Sequence, residues 1–96
     1  MTIDFTKNGA QLNVIINGRL DTVTAPEFES SFEANAEGVD ELVFDCEKLE
    51  YVSSAGLRVF LSLQKKFKTS MKLINVCELV MEVFEMTGFA DILTIE

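Results

Sequence analysis

The sequence predicts a mixed α/β fold in one domain, on three observations. Short apolar runs bounded by polar residues alternate with longer segments whose apolar positions recur three and four apart. The resulting order, β-β-α-β-α-β-α, makes the helix-linked strands parallel through right-handed crossovers, in one mixed sheet of four to five strands flanked by α-helices. Ninety-six residues, 48% of them hydrophobic, are enough for one core, and nothing in the chain reads as a linker, so 1–96 is a single domain.

Each element has a local cause. Ile3 and Phe5 alternate with polar residues, Asn8-Gly9 signals a tight turn, and Leu12–Ile16 follows as the second arm of a hairpin. Asn17-Gly18 marks the exit from that strand. Thr24 reads as the N-cap of a helix running to about Ala36, with Pro26 in its first turn and Glu27 completing a capping box. Phe28 and Phe32, four apart, give this helix its buried stripe, while Glu29, Glu33 and Glu37 are its solvated face. Gly38 ends it.

Glu41–Cys46 is a central strand with the apolar core Leu42-Val43-Phe44. The polar stretch from Asp45 to Ser54 reads as a loop. A helix then runs from about Ala55 to Phe67, with Leu57, Phe60, Leu61, Leu63, Gln64 and Phe67 at helical spacing. Lys65, Lys66 and Lys68 sit at its C-terminal end, where the helix dipole favours cations. Met71–Cys77 is a further strand. Glu78–Met86 is the last helix, with Leu79, Val80, Val83, Phe84 and Met86 inward, and Gly88 and Phe89 close it. Ile92 and Leu93 begin a short final strand or complete the packing as a tail.

Composition excludes several functions. Eight Lys+Arg against sixteen Asp+Glu give a formal charge of −8, and no basic, aromatic-interleaved patch offsets the repulsion of a phosphate backbone. The expected partners are therefore proteins with basic or neutral surfaces, not nucleic acid. The chain has no histidine, which removes the commonest general base and the usual imidazole metal ligand. Cys46 and Cys77 read as buried free thiols and do not make a metal site. No glycine-rich phosphate cradle appears, so no cofactor is expected. The start, Met1–Lys7, lacks a signal-peptide pattern and the apolar runs are too short to span a membrane, so the expectation is a cytoplasmic protein with no direct membrane insertion.

The residues that carry chemistry lie between Asp45 and Arg58. Ser53 and Ser54 stand where a strand gives way to a helix, and a helix start exposes backbone N–H groups that favour negative charge. Either serine can cap the helix. A phosphate there would add about −1.5 to −2 charges at a tolerant position. As a hydrolytic nucleophile, serine needs a base that the chain does not supply. Gly56 either admits a partner closely or packs the helix start against the sheet. Arg58, four residues beyond Ser54, can face a phosphate, Glu47, Glu50 or solvent. Asp21 and Asp45 stand at strand exits, where a lone aspartate is normally a loop hydrogen-bond acceptor. The chain reads as a binding protein and not an enzyme.

Three segments in order and spacing resemble a known family: Gly18-Arg19-Leu20-Asp21 followed by Thr24-Ala25, then Leu49–Leu57, then Val83–Phe89. They are similar to the bacterial anti-sigma factor antagonists, single STAS domains. The resemblance implies the STAS fold over the whole chain. It also implies a switch: the unmodified protein binds a kinase-like anti-sigma factor and releases the sigma factor, and phosphorylation at Ser54 abolishes binding. The implied partners are an anti-sigma factor with serine-kinase activity and a metal-dependent serine phosphatase. Carried onto this sequence, Ser54 is the phosphoacceptor, and Asp21, Ser53, Ala55, Gly56 and Arg58 form the docking surface around it. Ser53 stands where well-studied members have aspartate. The same domain type also serves as a constitutive adaptor in transporter or signalling complexes, which is the alternative function.

Overall fold

In the computed structural model, which describes residues 1–67 and 70–96, the chain forms one five-stranded mixed sheet carrying three α-helices. Strand β1 (Thr2–Asn8) and β2 (Gln11–Leu20) form the expected antiparallel hairpin. The turn itself is Gly9-Ala10, one residue later than the Asn-Gly signal suggests, and Gly9 supplies the left-handed φ of +66° that it requires.

Strand β2 runs four residues past its expected end. Asn17-Gly18 is therefore not an exit turn. Gly18, at φ +109°, lies beside a register shift between Gly18 and Arg19, and there the strand bends to a new neighbour. Up to Ile15 it pairs in parallel with β3 (Glu41–Asp45); from Gly18 to Leu20 it pairs in parallel with β4 (Leu49–Val52). Strand β4 replaces the expected loop. Strand β5 (Met71–Ile74) lies parallel on the other side of β3. The tail adds a bridge from Ile95 to Leu73, slightly beyond the Ile92-Leu93 expectation, and Leu93 is buried.

Register puts Leu12, Val14 and Ile16 on the same face as Leu42 and Phe44 and as Met71 and Leu73, and all seven are buried. Helix α1 (Ala25–Asn35) covers that face with Phe28 and Phe32, and α2 (Ser54–Phe67) with Leu57, Val59, Phe60 and Leu63. Helix α3 (Glu78–Thr87) adds Val80 and Phe84. Phe28, Phe44, Phe60 and Phe84 form a chain of ring contacts with centroids 5.5–6.1 Å apart, tying all three helices to β3. Leu79 and Met86, expected to face inward, are exposed instead. Helix α3 has ten residues, and its two fully buried positions, Val80 and Phe84, define a stripe too narrow to include them. Gly88 ends α3 in the left-handed conformation, as expected.

The capping box at Thr24 does not form. Thr24 has helical φ and ψ, and its side chain makes no cap hydrogen bond to the helix. Lys68, placed by the sequence at the basic end of α2, lies outside the described residues.

Candidate functional site at the carboxyl ends of β2 and β4

Parallel pairing of β2 with β4 sets Leu20 beside Val52, so the chain leaves both strands at one edge of the sheet. Asp21 follows Leu20, and Ser53 follows Val52. The Ser53 N–H donates to the Leu20 carbonyl at 2.9 Å, which locks the two exits together. Residues 32 positions apart thus converge where open parallel sheets characteristically bind ligands and partners.

The two serines have opposite environments. The Ser53 carbonyl accepts the first helical bond, from Leu57 N–H at 2.9 Å, so Ser53 occupies the N-cap position of α2. Its Oγ is buried and has no hydrogen-bond partner, so it caps nothing. Ser54, the first residue of α2, is exposed and makes no side-chain hydrogen bond among the described residues. Its hydroxyl is free for a reagent or a partner. Backbone N–H groups of the first turn lie next to it, and these favour an anion.

Gly56 resolves toward packing. A Cβ at this position would stand 2.8 Å from the Leu20 carbonyl oxygen, 2.9 Å from Leu20 Cγ and 3.0 Å from Val52 Cγ1. The missing side chain is used inside the fold, to seat α2 directly on the ends of β2 and β4. Gly56 is buried and offers a partner no surface of its own.

Asp21 is a local organiser. Its Oδ1 accepts the N–H groups of Val23 at 3.0 Å and Thr24 at 3.1 Å. Its own N–H donates to Thr24 Oγ1 at 2.9 Å, and the Thr24 hydroxyl donates to the Arg19 carbonyl at 2.8 Å. This is the turn chemistry of an aspartate ahead of a helix, performed by Asp21 in place of Thr24. The Thr24 N–H bond, foremost, lowers the Asp21 carboxyl below its ordinary value; partial desolvation opposes this, and the Val23 N–H, the Thr24 hydroxyl and Arg19 reinforce it. Arg19 Nε stands 3.7 Å from Asp21 Oδ2, and the guanidinium lies over the Tyr51 ring at 4.4 Å from its centroid. Asp45 is also a loop acceptor, taking the Glu47 N–H at 3.1 Å and Asn75 Nδ2 at 3.2 Å.

Ala55 and Arg58 border a groove of about 350 Å³ between α2 and the start of α1, with Thr22 and Pro26 on its far side. Arg58 is exposed on the same helical face as Ser54 and forms no ion pair with Glu47, Glu50 or any other described residue. Of the sequence-selected residues, Asp21, Ser53, Ser54, Ala55 and Arg58 surround this edge, and Gly56 lies beneath it. Sequence reasoning missed Arg19, Thr22, Val23 and Tyr51. Val23 is 83% exposed at the rim. An apolar residue between two threonines in a helix lead-in was the available signal. The Arg19–Tyr51 pair could be found only through β4.

No described helix is long and apolar enough to cross a membrane, and no described cluster of three or more Cys, Asp or Glu could hold a metal ion. Cys46 is buried and Cys77 half-buried, both as free thiols.

A family model described as STAS domain matches residues 2–96. Over 98 aligned residues the chain is 31% identical to the anti-sigma-B factor antagonist of Bacillus subtilis strain 168, covering 99% of this chain and 90% of that one. Its fold is similar to that of an anti-sigma factor antagonist from Mycobacterium paratuberculosis, with a TM-score of 0.85 and 22% identity over 98% of this chain and 83% of that one. It is also similar to Bacillus SpoIIAA, solved in unphosphorylated and phosphorylated forms. Each gives a TM-score of 0.73 over 99% of this chain, at 13% and 14% identity and with 87% and 91% of those chains covered.

Proposed function

Since the chain belongs to the STAS domain family, we propose that it is an anti-sigma factor antagonist switched at Ser54. In this reading the unmodified protein binds an anti-sigma factor with serine-kinase activity through the edge formed by Asp21, Ser53, Ser54, Ala55 and Arg58. Phosphorylation of Ser54 abolishes that binding, and a serine phosphatase restores it. The observation that carries the reading is the contrast between the serines: Ser54 is exposed and unbonded at the start of α2, whereas the Ser53 hydroxyl is buried. The relative from Bacillus subtilis is named for antagonising an anti-sigma-B factor, and SpoIIAA is an anti-sigma factor antagonist with a phosphorylated form.

The chemistry suits a substrate and not a catalyst. ATP and Mg²⁺ would sit on the kinase, so this chain needs no nucleotide site. A phosphate on Ser54 would meet helix N–H groups and Arg58, which stabilise it within the domain. It would act on the partner through charge and bulk at the centre of the contact. The fold survives the modification and the complex does not.

The test is capture from native cytoplasm with wild-type, Ser54→Ala and Ser54→Asp baits, with phosphate mapping on the wild type. An ATPase-fold anti-sigma factor should be held by the first two and at least about tenfold less by the third, a difference of about 1.4 kcal/mol. Equal capture by all three baits of a transporter or other assembly would replace the switch with a constitutive adaptor.

A further inference from the structure

Charge in this acidic protein is segregated by helix. Helix α1 carries three glutamates and no cation, and α3 likewise carries three glutamates and no cation. Helix α2 carries Arg58, Lys65 and Lys66 and no acid. Its exposed residues, Ser54, Arg58, Ser62, Lys65 and Lys66, fall at intervals that keep them on one face, with Leu61 half-buried at the margin. The two ion pairs among the described residues, Arg19 with Asp21 and Lys72 with Glu96, leave all three α2 cations without a direct ion-pair partner, with Glu29 lining the groove beside Arg58 and, with Glu33, the crevice beside Lys66. The sign of this face is thus opposite to the net charge from which basic or neutral partners are expected.

We propose that the outer face of α2 docks an acidic, carboxylate-bearing segment of a partner protein. Arg58 and Lys66 are eight residues apart, about 12 Å along the helix. A segment with two or three carboxylates at helical spacing can span that distance, with Leu61 as its apolar contact. A nucleic-acid duplex fits poorly. Its phosphates continue at about one charge per 1.7 Å and would run onto α1, whose Glu29 and Glu33 line the crevice shared with Lys66. An anionic membrane meets the same glutamates and finds no apolar stripe on α2 to insert. The inference goes beyond the Ser54 switch: it rests on charge placement alone and stands if Ser54 is never modified. If the switch does operate, a phosphate at the head of the stripe would compete with the partner's carboxylates for Arg58.

The test is an NMR titration of the full chain at low salt with a helical peptide of about four turns bearing glutamate on one face. Amide shifts should be confined to Arg58, Leu61, Ser62, Lys65, Lys66 and their neighbours. They should weaken at least about tenfold in a Lys65→Glu, Lys66→Glu variant that keeps a dispersed native spectrum, and fade as salt shortens the screening length. A lysine-bearing analogue should leave these residues unshifted and respond, if at all, at the acidic helices α1 and α3. The proposal is overturned by shifts on other elements, by no shift at millimolar peptide, or by an unchanged response in the double variant. It is also overturned if a short DNA duplex or anionic vesicles shift the same residues more strongly, or if sedimentation shows that α2 is covered by a second copy of the chain. Failure of the Ser54→Asp capture experiment would leave this titration unaffected, so the two readings fail separately.

Discussion

The two serines differ by one position and by what burial does to a hydroxyl. A buried polar atom without a partner costs stability that an apolar replacement recovers. Ser53→Ala should therefore not show the usual penalty for losing an N-cap, because the Ser53 hydroxyl makes no capping bond. The expected change in unfolding free energy is neutral to a gain of about 1 kcal/mol, read from urea denaturation. A loss larger than about 1 kcal/mol would mean that the hydroxyl has a partner. The same variant should still accept phosphate on Ser54, whereas Ser54→Ala should accept none. Sequence alone made both serines equal cap candidates, because spacing to the helix cannot show which hydroxyl turns inward. Asp21 was legible as a loop acceptor from its position, but its capture of two N–H groups and of Thr24 was not. Thr24 and Glu27 fit a capping box equally well on paper, and Asp21 took over the capping role.

At the scale of elements, the decisive contact is the seat of α2 on the ends of β2 and β4. Gly56 makes it possible, and helix propensity alone would say to replace it: alanine in a helix is worth about 1 kcal/mol over glycine. The steric cost should win. A methyl 2.8 Å from the Leu20 carbonyl must displace backbone, so Gly56→Ala should lower stability by about 1–3 kcal/mol. It should also disturb the presentation of Ser54, since both ride on the same turn. A urea midpoint at or above wild type would refute this. Strand β4 explains why the seat was invisible in the sequence. Leu49 and Val52 are buried three apart, out of phase with strand alternation, and their partner strand becomes available only through the bulge beside Gly18. Helices α1 and α2, by contrast, were readable to within one residue, α2 from apolar spacing repeated over three turns and α1 from Pro26 and Gly38 around the Phe28–Phe32 pair.

At the scale of the molecule, one core decides which groups meet solvent. Burial, foremost, and the neighbouring Asp45 and Cys77 raise the Cys46 thiol to about 12 from an ordinary 9.0. The folded state then keeps a proton that the unfolded chain releases above pH 9. This contribution to stability is complete below about pH 9 and is lost as pH rises toward 12. Wild type should therefore lose stability over that range more steeply than Cys46→Ala, measured as urea midpoint against pH; parallel profiles would contradict the burial argument. At pH 8 the native protein should react with a thiol reagent at Cys77 and not at Cys46. The sequence by itself determined the order of the helices and of every strand except β4, the helical faces of Phe28, Phe32 and Phe60, the absence of histidine chemistry and the stretch holding Ser54, because these follow from residue type and short-range spacing. The tertiary structure alone decided that Asp21 and Ser53 share one edge, that Gly56 belongs to the interior, and that the cations of α2 meet no ion-pair partner among the described residues. Those outcomes depend on which distant segments pair and which faces the core consumes, and neither is encoded in any local run of residues.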